Sequence, residues 1–326
     1  MYQKRILLIG PETNKRNPHL TGGVIVLFEH LIKDLRKLNI EFTVVDTNMA
    51  NYPNAVSGIL LIYWKILKNI SKVDHISLHG TVNNYLFIGP FIILLSLLSK
   101  KKVSLRKFAG SFHEVYESSG KFKRKLIEAI IRNADFTFYE TRYLVEYFKK
   151  WNRRTYWFPN VREREIFPSE IPRHFSKKFV FISHVIKSKG IELIREAVKE
   201  FDNSYKFDIY GPILNSEYSE ADLVGQNLSY RGPLRSDEVL KVLNLYDVLL
   251  LPSYREGYPG IIIEAFSLGI PVISTTLESV KELVEDRKEG HLIEPGNVKM
   301  LVEAIRNFDE CSYSVLSANA FKKFKL

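Results

Sequence analysis

Cysteine is almost absent: Cys311 is the one thiol in 326 residues. An internal disulfide is therefore excluded, as is every multi-cysteine zinc or iron–sulfur motif, and the residue reads as an inert thiol near the C-terminus. Asp-x-Asp, the acidic pair that holds a divalent ion against a diphosphate, occurs nowhere, and no cluster of three or more His and Cys residues has zinc-like spacing. An obligatory metal is not expected. Long apolar runs are also lacking. The most apolar stretch, Tyr85–Ser99, holds Gly89 and Pro90 and falls short of the ~20 residues a spanning helix needs. It predicts a buried helix, although the following Lys100-Lys101-Lys102 keeps a membrane-embedded element in view. The opening Met1–Arg5 runs into Ile6–Ile9, too short for a secretory apolar core, and reads as a strand.

What is present is a composition able to fold, 45% hydrophobic and 26% charged. The length suits two domains of about 150 residues. The net charge of +10 is uneven: residues 1–170 carry 27 Lys+Arg against 15 Asp+Glu, and the rest 20 against 22. A basic first half suits a polyanion or an anionic membrane surface. No recognised nucleic-acid-binding module accompanies it, so no nucleic acid is expected as partner.

Strand-like and helix-like periods alternate along the chain. Lys4–Gly10, Glu41–Asp46, His75–His79, Val103–Phe108, Asp135–Glu140 and Tyr156–Pro159 read as strands, with helical spacing between them, as in Val24–Leu38 and Lys121–Asn133. The pattern thins over Arg162–Lys178, a candidate linker. It restarts with strands at Phe179–Ile182, Lys206–Tyr210, Leu228–Tyr230, Val248–Leu251, Val272–Ser274 and His291–Ile293, and helices over Lys189–Phe201 and Gly260–Leu268. This alternation predicts an α/β protein of two tandem doubly wound, Rossmann-like domains facing a cleft. The boundaries are 1–170, 171–308 and a tail, 309–326, that could pack as a helix back on the first domain.

The run from Leu249 to Val272 carries the most chemistry. A buried strand ends at Pro252, a tight loop holds Glu256 and Gly257, and a helix begins at Pro259 or Gly260. Proline suits a first helical position because its missing N–H would be unpaired there. Gly269 and Pro271 stop the helix. A helix N-terminus flanked by glycines offers free N–H groups and a positive dipole end, which is a phosphate site. Glu256 and Glu264 lie on either side of it, and carboxylates accept well from sugar or ribose hydroxyls.

This run resembles the retaining, nucleotide-sugar-dependent glycosyltransferases of the GT-B fold, the family 4-like group with an E-x7-E motif that includes many bacterial polysaccharide and lipopolysaccharide enzymes. The likeness extends to Ile6–Gly10 with Gly22-Gly23, to Phe158-Pro159-Asn160-Val161, to Lys189-Gly190, to Tyr210-Gly211 and Arg231-Gly232, and to Gly290-His291-Leu292. The resemblance implies that Glu264 binds the ribose hydroxyls and Glu256 the donor sugar. It places the backbone of Gly257, Tyr258, Pro259, Gly260 and Ile261 near the diphosphate, with Lys189 neutralising it. Gly22 and Gly23 would let the first domain's loop approach donor and acceptor. His113, with Glu114 beside it, would stand at the sugar end, and Arg106 could line the same strand. Where the family has Gly-Arg after the second domain's first strand, this chain has Ser183-His184, so a pH-dependent histidine takes the place of a fixed charge; Arg255 could supply the missing one.

The implied function is transfer of a sugar from a nucleotide-diphosphate sugar to a growing cell-surface glycan, with retention and without a metal. Alternatives are a non-catalytic nucleotide-sugar-binding subunit and, more remotely, an epimerase or phosphorylase of the same fold. The cationic amphipathic stretch Lys121–Arg132 suits an anionic bilayer, where a lipid-linked saccharide would be presented. The expected location is cytoplasmic, peripheral at the inner face of the plasma membrane.

Overall fold

Short runs of Ile, Leu, Val and Phe can form strands only where their outward faces are also covered, and here parallel pairing with helical crossovers does this. The computed structural model describes residues 5–17, 22–108, 110–162, 170–214 and 216–325. Residues 163–169 of the candidate linker, and Lys4, lie outside that set.

Met1–Asn160 forms one unit. Its elements in chain order are β1 (Ile6–Gly10), α1 (Gly23–Lys37), β2 (Phe42–Asp46), α2 (Ala55–Ile70), β3 (His75–Gly80), α3 (Val82–Phe87), α4 (Gly89–Ser99), β4 (Lys102–Lys107), α5 (Phe112–Ser118), α6 (Lys121–Asn133), β5 (Phe136–Tyr139), α7 (Arg142–Phe148) and β6 (Thr155–Trp157). The parallel sheet has the order β2-β1-β3-β4-β5-β6. One face carries a large core that includes Ile76, Leu78, Leu105, Ile127 and Phe148. The other carries a smaller one, in which Phe28 and Ile32 of α1 pack on Leu8.

Val161–Leu326 forms the second unit, with β7 (Lys178–Ile182), α8 (Ile191–Ala197), β8 (Lys206–Tyr210), β9 (Leu228–Tyr230), α9 (Val239–Leu243), β10 (Val248–Leu251), α10 (Gly260–Ser267), β11 (Val272–Thr275), α11 (Glu278–Lys281), β12 (Gly290–Ile293), α12 (Val298–Arg306) and α13 (Glu310–Phe324). Its parallel sheet has the order β12-β11-β10-β7-β8-β9. The chain leaves β7 toward one edge and returns to β10 on the other side. The loops after β7 and β10 therefore diverge at a topological switch point, where open α/β sheets bind ligands.

Three expectations are corrected. The helix foreseen over 85–99 is two helices, α3 and α4, with Pro90 tolerated in the first turn of the second. It is not wholly buried either: Leu94, Leu97 and Leu98 stand exposed. The helix foreseen over Lys189–Phe201 is interrupted, because Gly190 at φ +75° ends a short turn over Lys187–Lys189 before α8 begins.

The unit boundary falls after Asn160 rather than at 170. The described residues of the entry segment are tied to the second unit: Arg173 donates to Asn244 Oδ1 at 2.7 Å and to the carbonyls of Asn244 and Tyr246. The inner face of α13 likewise belongs to the second unit, with Tyr313, Leu316 and Ala320 in its cores and Ser317 Oγ donating to Gly269 O at 2.7 Å.

Buried Asp247 anchors the start of β7. Its Oδ2 accepts from Ser176 N at 2.9 Å and Lys178 N at 2.8 Å. Asp247→Ala strips two amides of their acceptor and should cost about 2–4 kcal/mol in urea unfolding; a loss under about 0.5 kcal/mol would contradict this anchoring role.

Candidate active site

The strand β10 is buried throughout and delivers the chain to Pro252 and the fully buried Ser253. Thr275 Oγ1 on the neighbouring strand β11 donates to Ser253 O at 2.7 Å, fixing the loop's origin. The loop ends at Pro259, which occupies the N-cap position of α10. No side chain caps the helix, since a proline ring offers no acceptor. Ile262 N donates to Pro259 O at 3.1 Å, and the amides of Gly260 and Ile261 are the first-turn donors left for water or an anion.

Glu256 sits in this loop with its side chain 7% exposed. Two donors converge on Oε1: Lys189 Nζ at 2.7 Å and Ser253 Oγ at 2.7 Å. Ser279 Oγ also donates to the Glu256 carbonyl at 3.1 Å. The loop that brings Lys189 there depends on Gly190. A Cβ at that position would lie 2.1 Å from the Pro252 carbonyl oxygen, and φ is +75°. Tyr254 N completes the junction by donating to Ser188 O at 3.0 Å.

His184 follows β7 and joins the same group. Its imidazole is held below the ordinary histidine range, first by burial and then by the Lys189 ammonium, with Glu256 opposing. It is accordingly neutral near pH 7 and can donate through one ring N–H. The positive charge here therefore resides on Lys189. Arg255 beside Glu256 is exposed.

Glu264 lies one turn into α10. Arg162 Nε donates to its Oε1 at 2.5 Å, with side chains 9% and 17% exposed respectively. Burial raises the Glu264 carboxyl and outweighs the lowering by Arg162. Arg162 was not foreseen, and a charge 102 positions away in a presumed linker gives no signal in sequence. Ser253 lay inside the motif with no assigned role.

The remaining candidates belong to the first unit. Gly22 is the N-cap of α1, in extended conformation, and Gly23 opens the helix. A Cβ on Gly23 would meet nothing within 4 Å, so the fold itself does not require glycine at that position. His113 stands in the first turn of α5, edge-on to Tyr143 at 4.7 Å, and its buried Nδ1 has no hydrogen-bond partner. Arg106 is buried between the rings of Phe108 and Phe158, at 5.0 and 4.0 Å, and desolvation lowers it to about 10 against the pull of Glu140. Burial lowers its neighbour Lys107, which sequence had not marked, to about 8.

The spacing His75-x-x-x-His79 would suit a metal on a helix, but it falls on β3. There the two rings are the ends of a hydrogen-bonded row through Ser104 and Ser77, each link 2.8 Å. Among the described residues no group of three or more His, Cys, Asp or Glu side chains could hold a metal ion.

Residues 176–309 match the family of glycosyl transferases group 1. A Bacillus subtilis glycosyltransferase named for teichuronic acid biosynthesis is 30% identical over 132 residues, 40% of this chain and 32% of that protein. The match therefore spans about a third of that relative. An uncharacterised glycosyltransferase of Methanocaldococcus jannaschii is 25% identical over 304 residues, 87% of this chain and 84% of its own. An N-acetylgalactosaminyltransferase of Campylobacter jejuni, named for a diphospho-undecaprenol-linked saccharide, is 23% identical over 86% of this chain and 71% of that one.

Two solved structures share the fold. Anabaena HepE, crystallised with UDP-glucose, superposes with a TM-score of 0.75 at 13% identity, covering 99% of this chain and 94% of that one. Sucrose-phosphate synthase of Thermosynechococcus elongatus does so at 0.79 and 14%, with the same coverage. These neighbours share the fold of two Rossmann-like units, and the family match covers 134 of the 326 residues.

Two outcomes test the site's construction. Gly190→Ala should unfold at markedly lower urea concentration than wild type, whereas Gly23→Ala should be as stable as wild type; equal stability of both variants would contradict the close approach at Pro252. For His184, the unfolded ring titrates near ~6.5 and the folded ring lower. Below pH ~6.5 the unfolded chain then binds more protons, so stability is full above that pH and declines as pH falls toward the folded value. His79 and His291 shift in the same direction, each chiefly through burial. Thermal midpoints should drop between pH 7 and 5.5, less steeply in His184→Asn; an unchanged slope in that variant would contradict the depressed titration.

Proposed function

We propose that this chain transfers a sugar from a nucleotide-diphosphate sugar, with UDP as the carrier, to a growing cell-surface glycan, with retention and without an obligatory metal. The observation that carries this reading is the uncapped N-terminus of α10 beside the Lys189–Glu256 pair, inside the residues that match glycosyl transferases group 1. UDP-glucose in the Anabaena neighbour supports the choice of carrier. Relatives named for teichuronic acid and capsular polysaccharide biosynthesis support the choice of product. The Campylobacter relative supports a lipid-linked acceptor at a membrane surface, and with it a peripheral location.

The chemistry follows from the charges. The amides of Gly260 and Ile261 meet the diphosphate oxygens. Lys189 has three N–H donors and spends one on Glu256, which leaves two for phosphate. These groups stabilise the charge that develops as the C1–O bond breaks. Neutral His184 donates one further N–H. Glu256 uses Oε1 to hold Lys189 and Ser253, and Oε2 accepts from a hydroxyl of the donor sugar. Glu264 accepts from the ribose hydroxyls through Oε2 while Arg162 keeps Oε1.

The acceptor hydroxyl bonds to C1 on the face the diphosphate leaves, and its proton passes to the departing phosphate oxygen. On the first unit, His113 is the candidate to contact the acceptor. Gly22 and Gly23, at the start of α1, are candidates for close approach to a ligand on that unit.

Release of UDP from UDP-glucose and related donors, with and without an acceptor glycan, tests the reading. Glu256→Gln should lower kcat about 10²–10³-fold with a smaller change in donor KM, because its contact is with the reacting sugar. Glu264→Ala should chiefly weaken UDP binding. Tight UDP binding with no release of nucleotide diphosphate from any donor would instead identify a binding subunit.

A further inference from the structure

Large apolar side chains are exposed unevenly in this chain. Of the 21 that stand exposed among the described residues, ten lie between Val56 and Leu98. On α2 they form a stripe: Val56, Leu60, Trp64 and Leu67 follow one another at helical spacing and are 69%, 65%, 54% and 49% exposed. The opposite stripe, Gly58, Ile62 and Ile66, is buried against the sheet. A helix that is apolar on both sides is normally enclosed, and this one is not. On α4 the pattern repeats, with Ile92, Ile93 and Ser96 inside and Leu94, Leu97 and Leu98 outside. Tyr63 joins the two helices: its ring meets Phe91 edge-on at 4.5 Å and its hydroxyl donates to Phe87 O at 2.5 Å. The two exposed stripes therefore adjoin.

The two helices and the turns that follow them carry one sign of charge. Asn54–Lys72 and Thr81–Lys102 contain no Asp or Glu, whereas Lys65, Lys68, Lys72, Lys100, Lys101 and Lys102 lie within them. Lys68 extends over the Trp64 ring at 4.8 Å, an ammonium held beside an aromatic side chain suited to an interface. A second copy of the chain seated here would bring two sets of acid-free, lysine-bearing segments together, which like-charge repulsion opposes. An anionic bilayer supplies the complementary charge, together with an apolar layer for the leucines.

We propose that the adjoining outer faces of α2 and α4 dock on an anionic lipid bilayer, with Leu60, Trp64, Leu97 and Leu98 entering the acyl boundary and the lysines meeting headgroup phosphates. This rests on the peripheral-membrane reading above and moves the principal contact away from the basic face of α6. The helices lie in the interface and do not cross it: among the described residues no helix is long and apolar enough to span a membrane.

The test is sedimentation of the full chain with phosphatidylglycerol/phosphatidylcholine vesicles and with phosphatidylcholine vesicles alone, alongside quenching of tryptophan fluorescence by brominated acyl chains. Wild type should bind the anionic vesicles. Leu60→Glu/Leu97→Glu should bind about tenfold more weakly or worse while keeping wild-type thermal stability and donor turnover on a soluble acceptor. Trp64→Phe should lose most of the quenching. Lys123→Glu/Lys125→Glu in α6 should retain binding better than the leucine variant. Wild-type-like binding by the leucine variant, with loss in the α6 variant, would overturn this surface and leave the membrane reading standing. Absence of binding by wild type would remove both. Concentration-dependent dimerisation in sedimentation velocity that the leucine variant abolishes would show that a second copy covers the face.

Discussion

The Lys189–Glu256 contact is the constraint on which the candidate site depends. It joins two loops that leave adjacent strands at the switch point of the second sheet, and each loop is held in turn by backbone. One glycine makes the approach possible, because any side chain at position 190 would collide with the Pro252 carbonyl. Partly buried ion pairs gain little net stability, but removing one partner strands the other and can cost about 3–5 kcal/mol. The loops are thereby committed to one arrangement. The ammonium is held at Glu256, on the loop that leads into α10.

In the proposed site, this arrangement bears on the histidine that stands after β7 where the resemblance implies an arginine. His184 is pushed toward neutrality by burial and by Lys189 itself, so two cations do not crowd the same space. The positive potential arises from one lysine and from peptide dipoles, which need no counter-ion and cannot be titrated away. Glu264 follows the opposite logic. Buried, it would tend to take up a proton, and Arg162 resists that tendency. Arg162 only partly offsets the burial, and it engages Oε1 alone.

Much of the fold was legible in sequence because parallel sheets write themselves as alternating periods. Val248–Leu251 and Leu228–Tyr230 end where their patterns end, and Gly269 stops α10 as its position suggested. The loop–helix run was legible for the same reason: proline and glycine at a strand–helix junction restrict the backbone whatever surrounds them. Three kinds of feature were not. Arg162 pairs with Glu264 across 102 positions, and no local pattern encodes such a partner. The break at Gly190 depends on a backbone conformation that only packing against Pro252 reveals. The exposure of α4 escaped because an uncharged run reads as interior, and composition does not tell a helix buried in protein from one that presents leucines to another phase.

The two units therefore combine different physics. The second concentrates fixed donors and carboxylates where a charged, hydroxyl-rich ligand would sit; the first presents leucines and lysines suited to a lipid boundary. The most direct measurement of the central claim is the backbone amide NMR spectrum of the protein titrated with UDP and, separately, with uridine. The resonances of Gly257, Gly260 and Ile261 should move strongly with UDP and little with uridine, since the diphosphate is the proposed partner of those amides. Resonances of this loop that stay fixed at saturating UDP, while others far from α10 move, would contradict that claim.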